Sequence, residues 1–425
     1  MASVIQRIEA LGYRCLKYVC QDLQAFQVLV GPNASGKSTF LDVVSFLADI
    51  VALGPVDAVM KKRAPDLRDL AWMRRGDRIE LAVNIALPEE RRQRLKNGDY
   101  NGARYEVAIG MSAETGELAL LNETFWLTRV IADSTRVPTQ RTLFPQPLKA
   151  PETIVIPAGK KAPAGWKKVV NKVAESGNDY FSSEVSNWNN LFRLGPQKSA
   201  LANLPEDETK FPIATWFKEL LTRGVQVLAL NSEAMRRPSP PGTPRAFRLD
   251  GSNLPWVVET LAKRKRGRLA EWVEHLQTAI PDLKSVRTVE REEDRHRYLV
   301  LEYENGLRVP SWLVSDGTLR MMALTLLAYL PDPIGCFLIE EPENGIHPRA
   351  VETVFQSLSS VYDAQVLLAT HSPVVLGVAR PEQVLCFART QEGATDIVRG
   401  SEHPRLRKWK GETDLGTLFA SGLLG

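Results

Sequence analysis

The stretch VLVGPNASGKST over residues 28–39 constrains this chain more than any other feature. An apolar strand predicted over Ala25–Val30 leads directly into a G-x-x-x-x-G-K-S loop, and apolar residues then recur at helical spacing. Gly31 and Gly36 permit backbone conformations that turn main-chain N–H groups towards a phosphate, and the following helix directs the positive end of its dipole at the same charge. The sequence therefore predicts a phosphate-binding loop at a strand–helix junction.

The residue types in this loop indicate that it binds a nucleoside triphosphate together with a metal. Lys37 is expected to reach the β- and γ-phosphates, and Ser38 to hold Mg²⁺. The alternative, a chance glycine-rich turn before a helix, is disfavoured by the strand and the helix on either side. We predict ATP and Mg²⁺ as cofactors. The predicted nucleotide-binding residues of the loop are Gly31, Pro32, Asn33, Ala34, Ser35, Gly36, Lys37, Ser38 and Thr39.

Composition limits the size class and the cellular location of the protein but does not identify its partner. The 425 residues suffice for one large α/β domain with an insertion, or for two domains. The net charge of +4 is too small to indicate a nucleic-acid binder. The four cysteines form no C-x-x-C pair, and no apolar run reaches the roughly 18 residues of a membrane span. We therefore expect a cytoplasmic protein with no membrane partner.

The middle of the chain divides into a regular part and an irregular part. Alternating apolar residues over Ile79–Leu87 and Tyr105–Ile109 predict antiparallel strands with one face open to solvent. From residue 131 to 223 the pattern weakens, and an amphipathic helix is predicted over Trp166–Val173. The absence of a heptad repeat excludes a long coiled-coil arm. We predict that residues 131–223 are an inserted helical lid of unknown role.

A pair of carboxylates is the second chemical motif. The apolar run Ile334–Ile339 has the pattern of a buried parallel strand and ends in Glu340 and Glu341. Ligands of open α/β sheets bind at the carboxyl ends of strands, so Glu340 can contribute to the Mg²⁺ shell and Glu341 can polarise an attacking water. The alternative is an acidic helix cap, but a phosphate loop requires such a carboxylate partner.

Two further segments can face the same anion. Ser315 or Asp316 is predicted to cap a helix that continues to Leu330, and the N-terminus of that helix can face an anion. The predicted strand over Ala364–Thr370 ends at His371, where a histidine can contact a γ-phosphate. A lone histidine is often only structural, but its position at a strand end favours a functional role.

These motifs together resemble those of the ABC-type ATPases of the SMC and RecF group. GPNASGKST is similar to their Walker A motif, VSDGTLRMMAL to their signature, FLIEEPENGIHP to their Walker B with D-loop, and THSP to their switch-histidine segment. The details look most like the compact RecF-like, OLD-type ATPases that are often encoded beside a nuclease or other effector in anti-phage modules.

The resemblance implies a fold and a division of the chain. It implies a P-loop NTPase with an ABC-type head, in which a mixed central sheet is joined by an antiparallel β subdomain. Residues 1–130 would form the first half of this head, residues 131–223 the insertion, and residues 224–425 the second half.

The resemblance also implies a head-to-tail homodimer, or a higher homo-oligomer, held together by ATP. Ser315 and Gly317 of one copy would cap the γ-phosphate held by Lys37 and the rest of the loop in the other copy. Glu341 would activate water, and His371 would sense the γ-phosphate. The segment 344–347 would lie at the dimer seam, although His347 has an equal alternative as a helix cap.

Departures from the family pattern suggest slow turnover. Glu340 stands where an aspartate is usual, and Asp316-Gly317-Thr318 replaces the Gly-Gly-Gln of the transporters. No Q-loop glutamine is evident. We predict an ATPase switch in DNA maintenance or anti-phage defence. A nucleotide-gated scaffold is the alternative, and the energy subunit of a membrane transporter is a weaker one.

The partners are less constrained than the nucleotide site. Only 54 residues follow His371, too few for a fused catalytic nuclease domain, so an effector such as a nuclease is expected in trans. DNA is a further candidate partner, because the basic run Lys263–Arg268 can contact phosphates. The alternative for this run is a solvated helix face.

Overall fold

The computed structural model describes residues 4–95, 100–129, 141–157, 161–174, 179–331, 335–406 and 414–422. The chain divides into two compact units, and the first returns near the C-terminus. We call residues 2–225 with 381–409 the P-loop unit, and residues 226–380 with 410–423 the signature unit. Our division of the sequence at residues 130 and 223 stays a prediction.

The P-loop unit is built mainly from strands. Its elements are β1 (Ile5–Tyr13), β2 (Leu16–Asp22), β3 (Phe26–Val30), α1 (Lys37–Leu53), α2 (Pro55–Met60), β4 (Arg78–Ala86), α3 (Glu89–Arg92), β5 (Gly102–Met111), β6 (Leu118–Thr128), β7 (Lys167–Val173), β8 (Tyr180–Ser182), β9 (Asn189–Leu191), α4 (Pro212–Glu219), β16 (Val384–Arg389) and β17 (Thr395–Arg399).

The signature unit contains the remaining elements. They are β10 (Val225–Leu228), which begins at the boundary, α5 (Ser232–Arg236), α6 (Leu254–Arg264), α7 (Arg266–Gln277), β11 (Leu283–Glu290), β12 (Arg297–Tyr303), β13 (Arg308–Pro310), α8 (Asp316–Leu326), β14 (Gly335–Glu340), α9 (Pro348–Ser359), β15 (Ala364–Thr370), α10 (Pro373–Val378) and α11 (Leu415–Ala420).

An antiparallel sheet in the order β2-β1-β4-β5-β6-β7-β8-β9 forms most of the P-loop unit. The strands predicted from alternation are confirmed as β4 and β5, but the prediction of one solvated face is wrong. Glu80 and Glu106 on the polar face are 2% and 0% exposed. The segment around residue 154 covers them, because the Ile154 and Ile156 amides donate to these carboxylates at 2.6 and 3.0 Å. Both faces of the sheet are therefore largely buried at β4 and β5.

The helix predicted over Trp166–Val173 is also wrong. Residues Lys167–Val173 form β7, which pairs antiparallel with β6. Val169 and Val170 are fully buried, and β-branched side chains pack well on a pleated surface beside an existing strand. Within the described residues, the segment predicted as a helical lid thus extends the sheet with β7, β8 and β9 and then forms α4.

A second set of strands in the P-loop unit carries the predicted phosphate loop. All five residues of β3 are buried, β16 pairs parallel with β3, and β17 pairs antiparallel with β16. The Thr395 amide of β17 donates to the Cys15 carbonyl oxygen at 2.9 Å, which ties this set to the turn between β1 and β2. The loop after β3 therefore starts from a rigid, buried base.

The signature unit contains a small antiparallel sheet and a parallel pair. The strands β12 and β13 form a hairpin with a turn at Asn305-Gly306, and β11 completes the order β11-β12-β13. The helices α6 and α7 follow each other directly and meet at Lys265. The strands β14 and β15 are parallel and almost wholly buried, as predicted.

Two properties of the described residues bear on the expected setting. None of the helices in these ranges combines the length and the hydropathy that a membrane span needs. Cys336 in β14 and Cys386 in β16 are buried, and burial raises the pKa of the Cys386 thiol to about 12 and that of Cys336 further. These two thiols are therefore packing residues rather than reactive groups.

Candidate nucleotide-binding site

The loop between β3 and α1 is shaped by close packing against β16 and β17. A Cβ atom on Gly31 would lie 2.2 Å from the Phe387 carbonyl oxygen, and one on Gly36 would lie 2.3 Å from the Thr395 hydroxyl. Gly36 also has φ +106°, in the region that favours glycine. The Thr395 hydroxyl donates to the Ser35 carbonyl oxygen at 2.8 Å. Both glycines of the motif are thus required by tertiary contacts.

Lys37 lies at the centre of this loop. Its buried ammonium group donates to the carbonyl oxygens of Gly31 and Pro32 at 2.8 and 3.0 Å. The contacts hold the positive charge inside the loop, beside the start of α1. Lys37 is therefore placed as expected of a group that neutralises phosphate charge.

Two further features of the loop fit a bound phosphate. The helix α1 begins after Gly36 with no side-chain cap and no acidic residue in its first turn. The Ser35 hydroxyl is buried and has no hydrogen-bond partner among the described residues. An anion would satisfy these polar groups, because a helix N-terminus presents free N–H donors and a positive dipole end.

Helix α1 is held by a partly buried ion-pair network that the sequence did not reveal. Arg63, which is only 4% exposed, pairs with Asp42 and Asp49 of α1 at 2.7 and 2.8 Å. The Tyr13 hydroxyl donates to Asp42, and burial together with this carboxylate raises the pKa of Tyr13. These contacts join α1 to Tyr13 of β1 and to the segment that follows α2.

The two predicted Mg²⁺ ligands lie in different units. Ser38 is exposed in the first turn of α1, and Glu340 is exposed at the end of β14. No group of three or more histidine, cysteine or acidic side chains within the described residues forms a ready-made metal site. Such a group is not needed where phosphate oxygens and water supply most of the Mg²⁺ ligands.

The turn after β14 carries the second predicted carboxylate in a strained conformation. Glu341 has φ +46°, which costs a residue other than glycine roughly 1–2 kcal/mol. Its amide donates to the Ala369 carbonyl oxygen of β15 at 2.8 Å, and its carboxylate accepts from the Asn344 side chain. Strain of this kind is retained where neighbouring contacts enforce it, and it is concentrated at functional sites.

Glu343 is a residue of this turn that sequence reasoning missed. One carboxylate oxygen accepts from the Thr370 hydroxyl at 2.6 Å and from the His371 amide at 3.2 Å. The other oxygen is buried without a hydrogen-bond partner among the described residues. Glu343 therefore joins the turn after β14 to the segment that presents His371. The E-E-P-E spacing was the available signal, because it adds a third carboxylate to the same turn.

The predicted signature serine caps α8. The Ser315 hydroxyl accepts from the Thr318 amide at 3.2 Å, and both Ser315 and Asp316 are exposed. Arg236 holds the preceding backbone, since it donates to the Val314 carbonyl oxygen at 3.1 Å and pairs with Asp316 at 2.8 Å. The prediction of an N-cap here is confirmed, and Arg236 is a support that the sequence did not indicate.

The structure brings the signature helix and the D-loop segment together. A Cβ atom on Gly317 would lie 2.4 Å from the Gly345 carbonyl oxygen, so only glycine permits this approach. At the end of the same segment, His347 caps α9 and its Nδ1 accepts from the Arg349 amide at 3.3 Å. The helix-cap alternative for His347 is thereby confirmed, and its place at a dimer seam stays a prediction.

The fold and these motifs define the class of protein first. It is a P-loop NTPase with an ABC-type ATPase head, in which one unit carries the predicted phosphate loop and the other carries the segments predicted as the signature, the paired glutamates and the switch histidine. More particularly, the chain belongs to the family described as "AAA domain, putative AbiEii toxin, Type IV TA system", whose model matches residues 26–96 and 156–377. The predicted resemblance to the nucleotide-dependent ATPases of the SMC and RecF group is supported by this family and by the fold of the solved structures described next.

Solved structures agree on the fold at low sequence identity. An Smc head bound to the C-winged helix domain of ScpA is 13% identical, with 93% of this chain and 98% of that chain covered and a TM-score of 0.53. An Smc head with an extended coiled coil, bound to the C-terminal domain of ScpA derived from Pyrococcus furiosus, is 11% identical, with 93% and 96% covered and a TM-score of 0.51. No curated protein matches the chain by sequence.

Proposed function

We propose that this protein is an ATP-hydrolysing switch that dimerises on ATP and acts on DNA or controls an effector protein, in DNA maintenance or anti-phage defence. The observation that carries the proposal is the phosphate loop, where the buried Lys37 ammonium lies beside the uncapped start of α1 and the Ser35 hydroxyl has no hydrogen-bond partner among the described residues. These groups suit a triphosphate better than any uncharged ligand.

In this proposal each active site is formed by residues from two copies of the chain. Lys37 and the first-turn amides of α1 bind and orient the phosphates. Glu341 accepts a proton from the attacking water, and His371 donates a hydrogen bond to the γ-phosphate. Ser38 and Glu340 would hold Mg²⁺, which supplies charge neutralisation at the phosphates. Ser315 and Gly317 of a second copy close the site from the other side.

The surface around the signature supports the idea that it meets a second copy. Leu313 and Trp312, just before Ser315, are 71% and 46% exposed. Exposed apolar side chains beside a serine-capped helix N-terminus suit a surface that is covered when a nucleotide binds. Their position immediately before the signature makes this face the proposed dimer contact.

Steady-state ATP hydrolysis by two variants tests the proposal. Lys37→Ala is expected to abolish ATP binding, because it removes the buried positive charge of the loop. Glu341→Gln should bind ATP normally but hydrolyse it about a hundredfold more slowly or worse, as expected when a general base is lost. Lys62→Ala, a change at an exposed lysine, serves as the control and should behave like the parent.

The result also separates the switch from a nucleotide-gated scaffold. Hydrolysis by both variants at the parental rate would refute the assignment of the site. If an identified effector binds Glu341→Gln and parent equally, whether or not ATP is turned over, but does not bind Lys37→Ala, the scaffold is the correct alternative.

A further inference from the structure

An open groove lies between α7 and β11 in the signature unit. It has a volume of about 630 Å³ and is lined on the helix side by Leu269, Ala270 and Val273. On the strand side it is lined by the consecutive residues Lys284, Ser285 and Val286. Because consecutive residues of a strand point to opposite faces, a groove that contacts all three runs along the edge of the strand. We call it the α7–β11 groove.

The edge of β11 beside this groove is unpaired within the described residues. The sheet order is β11-β12-β13, so β11 has a strand neighbour on one side only. Apart from the ladder with β12, residues 284–289 form no backbone–backbone hydrogen bonds with described residues. A row of free N–H and C=O groups of this kind accepts a further strand.

The register shows which groups face outwards. The amide and the carbonyl of Arg297 in β12 bond to Ser239, on the side away from β11. Glu290, which lies opposite Arg297, is therefore in a non-hydrogen-bonded pair, and pairs alternate along an antiparallel ladder. It follows that Thr288 and Val286 turn their N–H and C=O groups away from β12, to the unpaired edge, where Thr288 is partly exposed and Val286 is 4% exposed.

Two of the three charged residues that line the groove are basic. Arg266 and Lys284 line it, and Glu274 is the only acidic residue among its lining residues in the described ranges. Arg264 and Lys265 extend the positive charge around the turn between α6 and α7, and neither forms an ion pair with a described residue. Lys263, by contrast, is paired with Glu259 at 2.8 Å. This end of the groove therefore suits a negatively charged ligand.

We propose that the α7–β11 groove binds an extended segment of a partner protein, which adds a strand to the edge of β11 and places acidic side chains beside the turn between α6 and α7. The free backbone groups select an extended peptide, the apolar side chains of α7 receive alternate residues of it, and the basic cluster Arg264–Arg266 selects its charge. This inference goes beyond the ATPase switch and does not depend on it.

Binding of two short fluorescein-labelled peptides to the full chain tests the proposal. Both consist of alternating valine and threonine, and one ends in glutamates while the other ends in lysines. The glutamate peptide should bind at least about tenfold more tightly, and the double variant Lys265→Glu/Arg266→Glu should reverse this preference. Hydrogen exchange should show that the glutamate peptide protects the Val286 and Thr288 amides, which are otherwise free at the edge.

A matched pair of variants separates the backbone contact from the charge. Thr288→Pro removes an outward N–H group, so it should weaken binding of the glutamate peptide about tenfold. Thr288→Val keeps that group and should bind the peptide like the parent. If Thr288→Pro fails to fold, exchange protection in the parent decides the question.

The proposal is overturned if neither peptide binds, if both bind equally, or if Val286 and Thr288 gain no protection. It is equally overturned if duplex DNA binds the chain and this binding is abolished by Lys265→Glu/Arg266→Glu but unchanged by Thr288→Pro. In that case the cluster is a nucleic-acid contact.

Discussion

Glu343 connects the turn after β14 with the segment of His371, and the proposed functional residues of both were identified from sequence motifs. Its carboxylate accepts from the Thr370 hydroxyl and from the His371 amide, so it fixes the backbone on which the His371 side chain is mounted. Neither of these two hydrogen bonds involves a residue of the phosphate loop. We therefore regard Glu343 as a positioning residue for the proposed hydrolysis.

We expect Glu343→Ala to lower kcat for ATP hydrolysis about tenfold to a hundredfold while KM for ATP changes little, because misplacement of a catalytic group by about 1 Å has effects of this size. Steady-state kinetics measure both constants. Glu343→Gln keeps an oxygen acceptor and should recover most of the loss.

Glu352→Ala, at an exposed position of α9, is the matched control and should be kinetically normal. If the loss of activity appeared as a higher KM with an unchanged kcat, the positioning role would be contradicted. A loss of folding stability alone, with normal kinetics in the folded fraction, would also contradict it.

At the scale of secondary-structure elements, a buried carboxylate determines how α4 begins. Glu184 accepts from the Ile213 and Ala214 amides, each at 2.7 Å, in place of a side-chain cap within the helix. Burial raises the pKa of Glu184 to about 8, although these amides act in the opposite direction. The folded state therefore holds this proton more tightly than the unfolded chain does.

The consequence is a defined pH dependence of stability. An acid whose pKa is raised on folding stabilises the fold below its unfolded pKa, and this stability is lost as pH rises through the folded pKa. For Glu184 the loss extends from about pH 4.5 to about pH 8. Burial lowers the pKa of His403 from 6.5 to about 4, and its contribution is lost in the opposite direction, as pH falls below 6.5.

Between pH 6.5 and 8, Glu184 but not His403 contributes to the pH dependence of the free energy of unfolding. At about 1.4 kcal/mol for each pH unit, the free energy of unfolding should fall by about 2 kcal/mol over this window. Urea denaturation at several pH values measures it. Glu184→Gln should flatten the dependence, and Glu206→Gln, at a position where the side chain is 86% exposed, should not. A parental protein with no slope in this window would contradict the prediction.

At the scale of the whole molecule, the proposed active site requires two copies of the chain. Glu341→Gln with ATP should run at the mass of a dimer in size-exclusion chromatography with light scattering, and as a monomer without nucleotide. Adding Ser315→Arg should abolish the dimer, because it places a bulky cation at the exposed cap of α8.

The control for this experiment is Ser401→Arg, which changes an exposed serine of the P-loop unit. It should leave the ATP-dependent dimer intact. A dimer that forms equally with and without ATP, or that survives Ser315→Arg, would show that the contact does not pass through the nucleotide.

Much of the candidate site could be predicted from the sequence because its residues lie in contiguous motifs. The strand–loop–helix at Lys37, the buried strand that ends at Glu340 and the cap at Ser315 each depend on local spacing and on residue type. The supports could not be predicted in this way. Arg236 contacts Val314 across 78 residues and leaves no periodic trace in the sequence.

The sequence by itself determined the class of protein and predicted the type of ligand, because glycines, helical spacing and strand-end carboxylates are local chemistry. Only the tertiary structure decided that Thr395 packs on Gly36, that Glu343 holds the His371 segment, and that β7 is a strand rather than a helix. Each of these depends on contact between residues far apart in the chain. Burial, hydrogen-bond partners and strand pairing arise only when such residues meet in the folded chain.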